Sequence, residues 1–328
     1  MSTAESTPSS LAAKSGPSDR LVSAVPDRID PSIVKELSQL RPWISLAAIA
    51  REYVFVIGAI VLGTMYWNPF LYVAIVIWIG SRQHALSILM HDATHYRIVK
   101  SRVWNEIIGH AFLAFPMFSP FRAYRNAHYA HHREPNTEND PDWMHRQDED
   151  WQFPKTRAGL IWLLIRDATG LNTFDIVREA RRYNKVNDEP RWISLCRVAG
   201  YLTMIAVLIY FRLFSTYLLF WIVPYLTAHK IIFRLRAVAE HFGIDTGHPF
   251  MDTRTVMPAI WERVLISPFY VNLHLAHHLY PSVPFYNLPK LQQQIDQSEE
   301  YRQMAHVTQT YMGMLYECLK DYPKRVAA

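Results

Sequence analysis

Residues 43–95 read WISLAAIAREYVFVIGAIVLGTMYWNPFLYVAIVIWIGSRQHALSILMHDATH. From Trp43 to Trp67 only Arg51 and Glu52 carry charge, Asn68-Pro69 is a turn signal, and Phe70 to Met90 is apolar again apart from Ser81, Arg82, Gln83, His84 and Ser87. A second pair follows the same plan: Trp192 to Phe211, a break at Arg212, then Leu213 to Ala228. Each run is close to the roughly 20 residues that an α-helix needs to cross a bilayer. Buried hairpins of a soluble bundle are the plainer alternative, but soluble helices seldom sustain such lengths. The expectation is an all-α integral membrane protein with four transmembrane helices, at about 43–67, 70–90, 192–211 and 213–228, arranged as two hairpins.

Charge orients them. Of 34 Lys and Arg, six lie in residues 1–51, sixteen in 82–191 and ten in 230–328, leaving only Arg197 and Arg212. Cytoplasmic loops carry such an excess. Both termini are therefore expected in the cytoplasm, with short outer turns and a helical cytoplasmic cap. Residues 1–31, rich in Ser, Thr, Pro and Ala without an apolar block, read as a disordered tail, and 32–328 as a single domain. The tail has no secretory h-region. Val103–Phe118 and Ala158–Ile165 are too short or too charged to span and are expected along the interface. Basic loops beside anionic headgroups account for the net charge of +5 without nucleic acid. An acidic electron carrier would suit the same face. The two cysteines, Cys196 and Cys318, cannot form a disulfide framework or an iron–sulfur site.

The chemistry resides in the fifteen histidines. His91 and His95 stand at i and i+4, one helical turn apart on one face. His128, His131 and His132, and again His274, His277 and His278, stand at i, i+3 and i+4. Eight imidazoles gathered at one end of the bundle would repel if protonated and would be costly if buried without partners. Metal ions resolve both difficulties, and eight donors suit two metals with positions left for oxygen or water.

The boxes HDATH, HYAHH and HLAHH, set around two apolar pairs, resemble the membrane-bound fatty acid desaturase and hydroxylase superfamily. The similarity runs from about Trp43 to about Gln294 and includes HHREPNTENDPDW and HHLYPSVPFYNLPKL. It implies two iron ions at the cytoplasmic membrane face, dioxygen as co-substrate, and hydrogen removal from an unactivated C–H bond of a lipid or related amphiphile. Zinc would be a replacement in purified protein. The family also implies a ninth ligand, for which His241 has the fitting position. Relatives carry Asn four residues before that histidine, where this chain has Ala237, and many acyl desaturases carry Asn where the third box has Leu275. The substrate class stays open on these two departures.

Arg236 and Glu240 flank His241 as supporting groups, with Glu240 open as a carboxylate ligand. Asp92, Asp140 and Asp142 can accept hydrogen bonds from ligand imidazoles, or serve as caps. His84, seven residues before His91, is either a hydrogen-bonded structural histidine or a ligand. His110, His145, His229, His248 and His306 lack partner spacing and read as structural, and Trp143, Trp151 and Phe153 as cover for the cap. No dinucleotide fingerprint, haem module or Cys cluster is present, so electrons are expected from a separate ferredoxin, cytochrome or rubredoxin. Desaturation of an acyl chain is the leading reading. Hydroxylation or ketolation of a lipid, carotenoid or small specialised metabolite is the alternative. A metal transporter is remote, because its ionisable ligands would sit at the midplane of the spans.

Overall fold

Asn68 separates the first two long helices. Its Oδ1 accepts from the Phe70 and Leu71 N–H groups at 2.9 and 3.2 Å, and Pro69 occupies the first helical turn, where its missing N–H costs nothing. The computed structural model describes residues 28–142, 148–175, 178, 188–244 and 248–322. Within it α1 spans Pro31–Leu37, α2 Pro42–Met65 and α3 Pro69–Thr94, followed by α4 Arg102–Ile108 and α5 Phe121–Arg133. Further on come α6 Arg157–Ala168, α7 Arg191–Tyr210, α8 Ala228–His241, α9 Ile260–Leu265, α10 His274–Leu279, α11 Leu288–Ile295 and α12 Tyr311–Glu317.

Four segments are long and apolar enough to cross a membrane: Pro42–Met65, Pro69–Thr94, Arg191–Tyr210 and Phe214–His241. Two of them run well past the ends expected from hydropathy. The second helix continues from Met90 to Thr94, so that His91 lies in its last turn. The fourth continues past Ala228 to His241, through a π-helical segment at Leu218–Ile222 and a break at Thr227. The polar residues that mark an end in the sequence are sheltered by protein instead. Arg234 pairs with buried Asp167 of α6, and Arg236 Nε donates to Glu240 Oε1 at 2.5 Å.

The helix α3 changes character along its length. Phe70, Val73 and Ile77 are exposed, whereas from Ile79 to Thr94 every residue is buried except half-buried Ser87. At the change, Arg82 Nη1 meets the fully buried Glu52 Oε2 of α2 at 3.1 Å, and Arg82 also donates to the Val264 carbonyl of α9. A charge at that depth requires such partners. Gly80 lets α8 approach closely, since a Cβ there would stand 2.7 Å from both the Ala228 Cβ and the His229 nitrogen. By contrast α7 buries no residue; its Tyr201 stacks on Phe115 and donates to its carbonyl at 3.0 Å, and its Arg197 pairs with Glu189 at 2.7 Å.

Short elements close the cap-side half. Beside an isolated bridge between Lys155 and Leu319, the departure from all-α structure among the described residues is a pair of three-residue parallel strands, β1 Thr255–Met257 and β2 Val307–Gln309, with Val256 opposite Thr308. They tie the segment after α8 to the chain's last helix. The amphipathic expectation fits α4 and α6, which expose Val103, Trp104 and Ile107, and Ile161, Trp162 and Ile165 respectively. Residues 1–27 of the expected tail lie outside the described residues. Its last residue, Pro31, begins α1, which Asp30 caps by accepting from the Ser32 N–H at 2.8 Å. Trp143 and His145 also lie outside the described residues.

Candidate metal centre

Each histidine box stands at or near a helix C-terminus. His91 and His95 close α3, His128, His131 and His132 fill the last turns of α5, His241 is the last residue of α8, and α10 is little more than the third box itself. The carbonyl ends of three helices thus converge, and their partial negative charge favours cations between them. Long-range contacts fix the convergence. Asp92 Oδ2 accepts from the Phe285 N–H at 3.1 Å, and Arg97 donates to the carbonyls of His95 and Ser282 at 2.8 and 3.0 Å. These join the first box to the chain that follows the third.

The nine imidazoles fall into two groups. In one, His91, His95, His128, His132 and His277 each offer a ligand atom within 4.8 Å of the others; in the second, His131, His241, His274 and His278 do the same. In the first group, His128 Nε2 lies 2.8 Å from His95 Nε2 and 2.9 Å from His132 Nε2, which is 3.0 Å from His277 Nε2. In the second, His278 Nε2 lies 3.2 Å from His131 Nε2 and 3.0 Å from His274 Nε2, itself 3.0 Å from His241 Nε2. A neutral imidazole has one N–H to donate, so nitrogens packed this closely cannot all be satisfied by one another. His131 illustrates the point: its Nδ1 faces Asp140 Oδ2 at 2.9 Å, which places the proton there and leaves Nε2 as a lone pair aimed into the group. A metal that prefers imidazole donors fits both groups.

Electrostatics agree. Burial first, then chiefly the neighbouring imidazoles, holds His128, His132, His274, His277 and His278 well below the usual histidine pKa, and burial with Arg97 and Arg125 nearby takes His95 down to about 3. All six are thus neutral, as ligands must be. Burial would raise Asp140, but its hydrogen bond and charge interaction with His131 and the N–H groups of Asn136 and Asp142 keep it below the ordinary aspartate value.

A family profile described as fatty acid desaturase matches residues 67–310. This chain belongs to the fatty acid desaturase family. The desaturase is 34% identical over 298 residues to dihydrorhizobitoxine desaturase of Bradyrhizobium elkanii, an alignment covering 83% of this chain and 82% of that one. It is 24% identical to the sn-1 oleoyl-lipid 12-desaturase of Anabaena variabilis, over 71% of this chain and 72% of the relative. Against the chloroplastic omega-6 fatty acid desaturase of Spinacia oleracea it is 21% identical, over 82% and 62%.

All nine histidines singled out in the desaturase's sequence are thus brought together. Among the supporting groups, Asp140 touches His131, and Asp142 Oδ2 lies farther off, at 3.7 Å. Glu240 Oε1 stands 3.5 Å from His274 Nδ1 and is in neither imidazole group, so it backs a histidine, with Arg236 holding it in turn. Asp92 Oδ1 is 3.6 Å from His91 Nδ1. His84 is buried within α3, in neither group and not at a helix end. Three positioning residues were not evident from sequence. Asn105 donates to the Ala93 carbonyl at 2.7 Å and accepts from the Ile98 N–H, while Tyr129 donates to the Thr94 carbonyl at 2.7 Å. Arg254, almost wholly buried, donates to the carbonyls of Val238, Ala239, Phe242 and Gly243 at the end of α8. Polar Asn105 within an apolar stretch was a signal; nothing local marks Arg254.

Proposed function

We propose that this desaturase holds two iron ions, one in each imidazole group, and uses dioxygen to introduce a double bond into an acyl chain of a lipid or a related amphiphile. The observation that carries the reading is the separation of nine closely packed imidazole donors into sets of five and four. When bound, the irons would supply the redox chemistry that removes hydrogens from two adjacent carbons. The chain's own groups do the rest. Asp140 holds the His131 proton on Nδ1, Glu240 faces His274 Nδ1, and Asn105, Tyr129 and Arg254 fix the helix ends that present the rings. Placement at this precision is what decides whether a second hydrogen is taken or oxygen is added.

A cavity of about 220 Å³ lies between α3, α5 and α8 and is bordered by His128, His131, His241 and His274. It is the place for the reacting carbons. Electrons come from an external ferredoxin, cytochrome or rubredoxin type of donor. The four spans form two hairpins with both termini and the metal centre on the cytoplasmic side. A smaller specialised amphiphile is the second substrate reading, favoured by the name of the relative at 34% identity.

The test is metabolite and lipid profiling by mass spectrometry of cells with and without the gene, together with metal analysis of gently prepared active protein. Products lighter by two hydrogens and close to two irons per chain are expected. Products carrying an added oxygen would replace desaturation by hydroxylation, and active protein without iron would overturn the metal assignment.

A further inference from the structure

The cavity is polar at the end away from the irons' proposed position. Along α3 its wall runs His84, then Ile88 and Met90, stopping just short of His91; along α8 it runs His229 and Lys230, then Phe233, then Ala237, and ends at His241. Both helices therefore read basic group, apolar stretch, metal group in the same direction. At about 1.5 Å per residue, His84 lies roughly 10 Å from His91 along its helix, and His229 roughly 18 Å from His241. The close approach of the two helices at Gly80 brings the His84 and His229 rings to 6.2 Å between centroids.

A hydrocarbon tail fits this end poorly. His84 is 1% exposed and faces the Ile266 backbone without reaching good hydrogen-bond geometry; His229 faces the Tyr225 carbonyl, and its Nε2 is buried without a partner. Covering these nitrogens with methylene groups would leave them buried and unsatisfied. Lys230, 5% exposed, adds a cationic side chain to the same wall. The lining also carries Arg236, whose Nε donates to Glu240. The volume is also small, since sites for drug-sized ligands commonly span roughly 300–1,000 Å³. A long acyl chain still attached to its glycerolipid headgroup exceeds it.

We propose that this cavity takes a short, free carboxylate, its anionic end held by His84, His229 and Lys230 and its reacting carbons farther along the cavity, toward the four-histidine group. The proposal rests on the reading of this cavity as the substrate site and narrows the substrate from lipids to small carboxylates. A carboxylate supplies lone pairs for the imidazole N–H groups and the ammonium, and a short apolar stretch supplies contacts for Ile88 and Phe233.

The experiment measures binding of octanoate, octan-1-ol and octylamine to the intact, metal-loaded protein in lipid nanodiscs, followed by tryptophan fluorescence, with iron content determined on the same samples. Octanoate is expected to bind at least tenfold more tightly than the other two. Lys230→Met and His84→Leu are each expected to erase that preference with iron content unchanged, and Lys230→Arg to keep it. Equal affinity for octanoate and octan-1-ol, or a preference that survives both substitutions, overturns the proposal. Iron-loaded protein without carboxylate preference refutes this proposal alone, whereas selective carboxylate binding to active protein that carries no iron refutes the di-iron reading alone. A variant that loses iron or unfolds early is replaced by His229→Phe, judged by the same preference.

Discussion

The five-histidine and four-histidine groups share the same kind of donor but not the same surroundings. Among the described residues, one carboxylate lies within 4 Å of a ring nitrogen of the first group, Asp92 at 3.6 Å from His91. Three serve the second: Asp140 and Asp142 at His131, and Glu240 at His274. The first group instead has Arg97 and Arg125 close enough to depress His95. Access differs as well, because three of the four histidines of the second group border the cavity and only His128 of the first does. The two histidine groups are therefore unequal. On the reading proposed above, the carboxylate-backed one would face the substrate, and the other would be enclosed by protein.

The largest effect comes from removing a ring from either group. His131→Ala and His277→Ala should each lower turnover by more than a hundredfold, since even loss of a ligand's supporting partner costs roughly 10–100-fold in metal affinity or activity. Both variants should still insert in membranes, because the spans are formed by other residues. Activity assays of membrane fractions with matched protein content check this. Retained turnover in either would remove that group from the reaction and end the comparison.

A smaller, selective effect is expected from the carboxylates. Asp140→Asn keeps the shape but loses the charge that fixes the His131 proton on Nδ1, so affinity at the four-histidine position should fall by about tenfold. Iron content should drop from near two per chain toward one on dialysis against a weak chelator. Asp92→Asn should leave it near two, as Asp92 sits farther from its imidazole and spends its other oxygen on the Phe285 N–H. Equal losses in the two variants would show the positions to be electrostatically alike.

Most of the site could be read in the sequence because its spacing is local. A pair at i and i+4 or a triple at i, i+3 and i+4 on a helix lies on one face whatever the rest of the fold does. The ends of the spans were harder. Hydropathy stops at Met90 and Ala228 because it treats His91, Arg234 and Arg236 as exposed to lipid, whereas burial against Asp167 and Glu240 lets the helices continue. What fixes His241 was not legible at all. Arg254 reaches back over a dozen residues to the end of α8, a contact that depends on the β1–β2 pairing and leaves no periodic trace. The division of the nine rings into five and four was equally invisible, since neighbours in the second box, His131 and His132, go to different groups.

Acidification separates the histidines by the sign of their shifts. Outside the spans, six have folded pKa values below the unfolded value of about 6.5, so the unfolded chain takes up protons that the folded chain refuses, and stability falls as pH drops below that value. For His95 the loss continues to about pH 3. His131 works in the opposite sense. Burial opposes its protonation, yet the hydrogen bond to Asp140 and the charges of Asp142 and Asp140 raise its pKa, so its contribution is present at low pH and is lost as pH rises through the folded value. Six against one decides the direction. Metal-stripped protein should melt at progressively lower temperature between pH 7.5 and 5.5 in detergent, and a flat or rising profile would contradict the buried, neutral state of the rings.

The smallest expected effect tests the scaffold of the enclosed group. Asn105 is fully buried and bridges the Ala93 carbonyl and the Ile98 N–H, holding the turn that follows His91 and His95. Asn105→Ala leaves both backbone groups unpaired in a dry place, at a cost of about 1–3 kcal/mol. The damage should be confined to the end of α3, because the four-histidine group takes no residue from that helix. Thermal unfolding with metal bound should therefore shift down by a few degrees, and the metal lost first on mild heating should be the one held by His91 and His95. If the four-histidine position empties first, the two groups are coupled through the rings of α5 more strongly than their separate carboxylate and cavity environments imply.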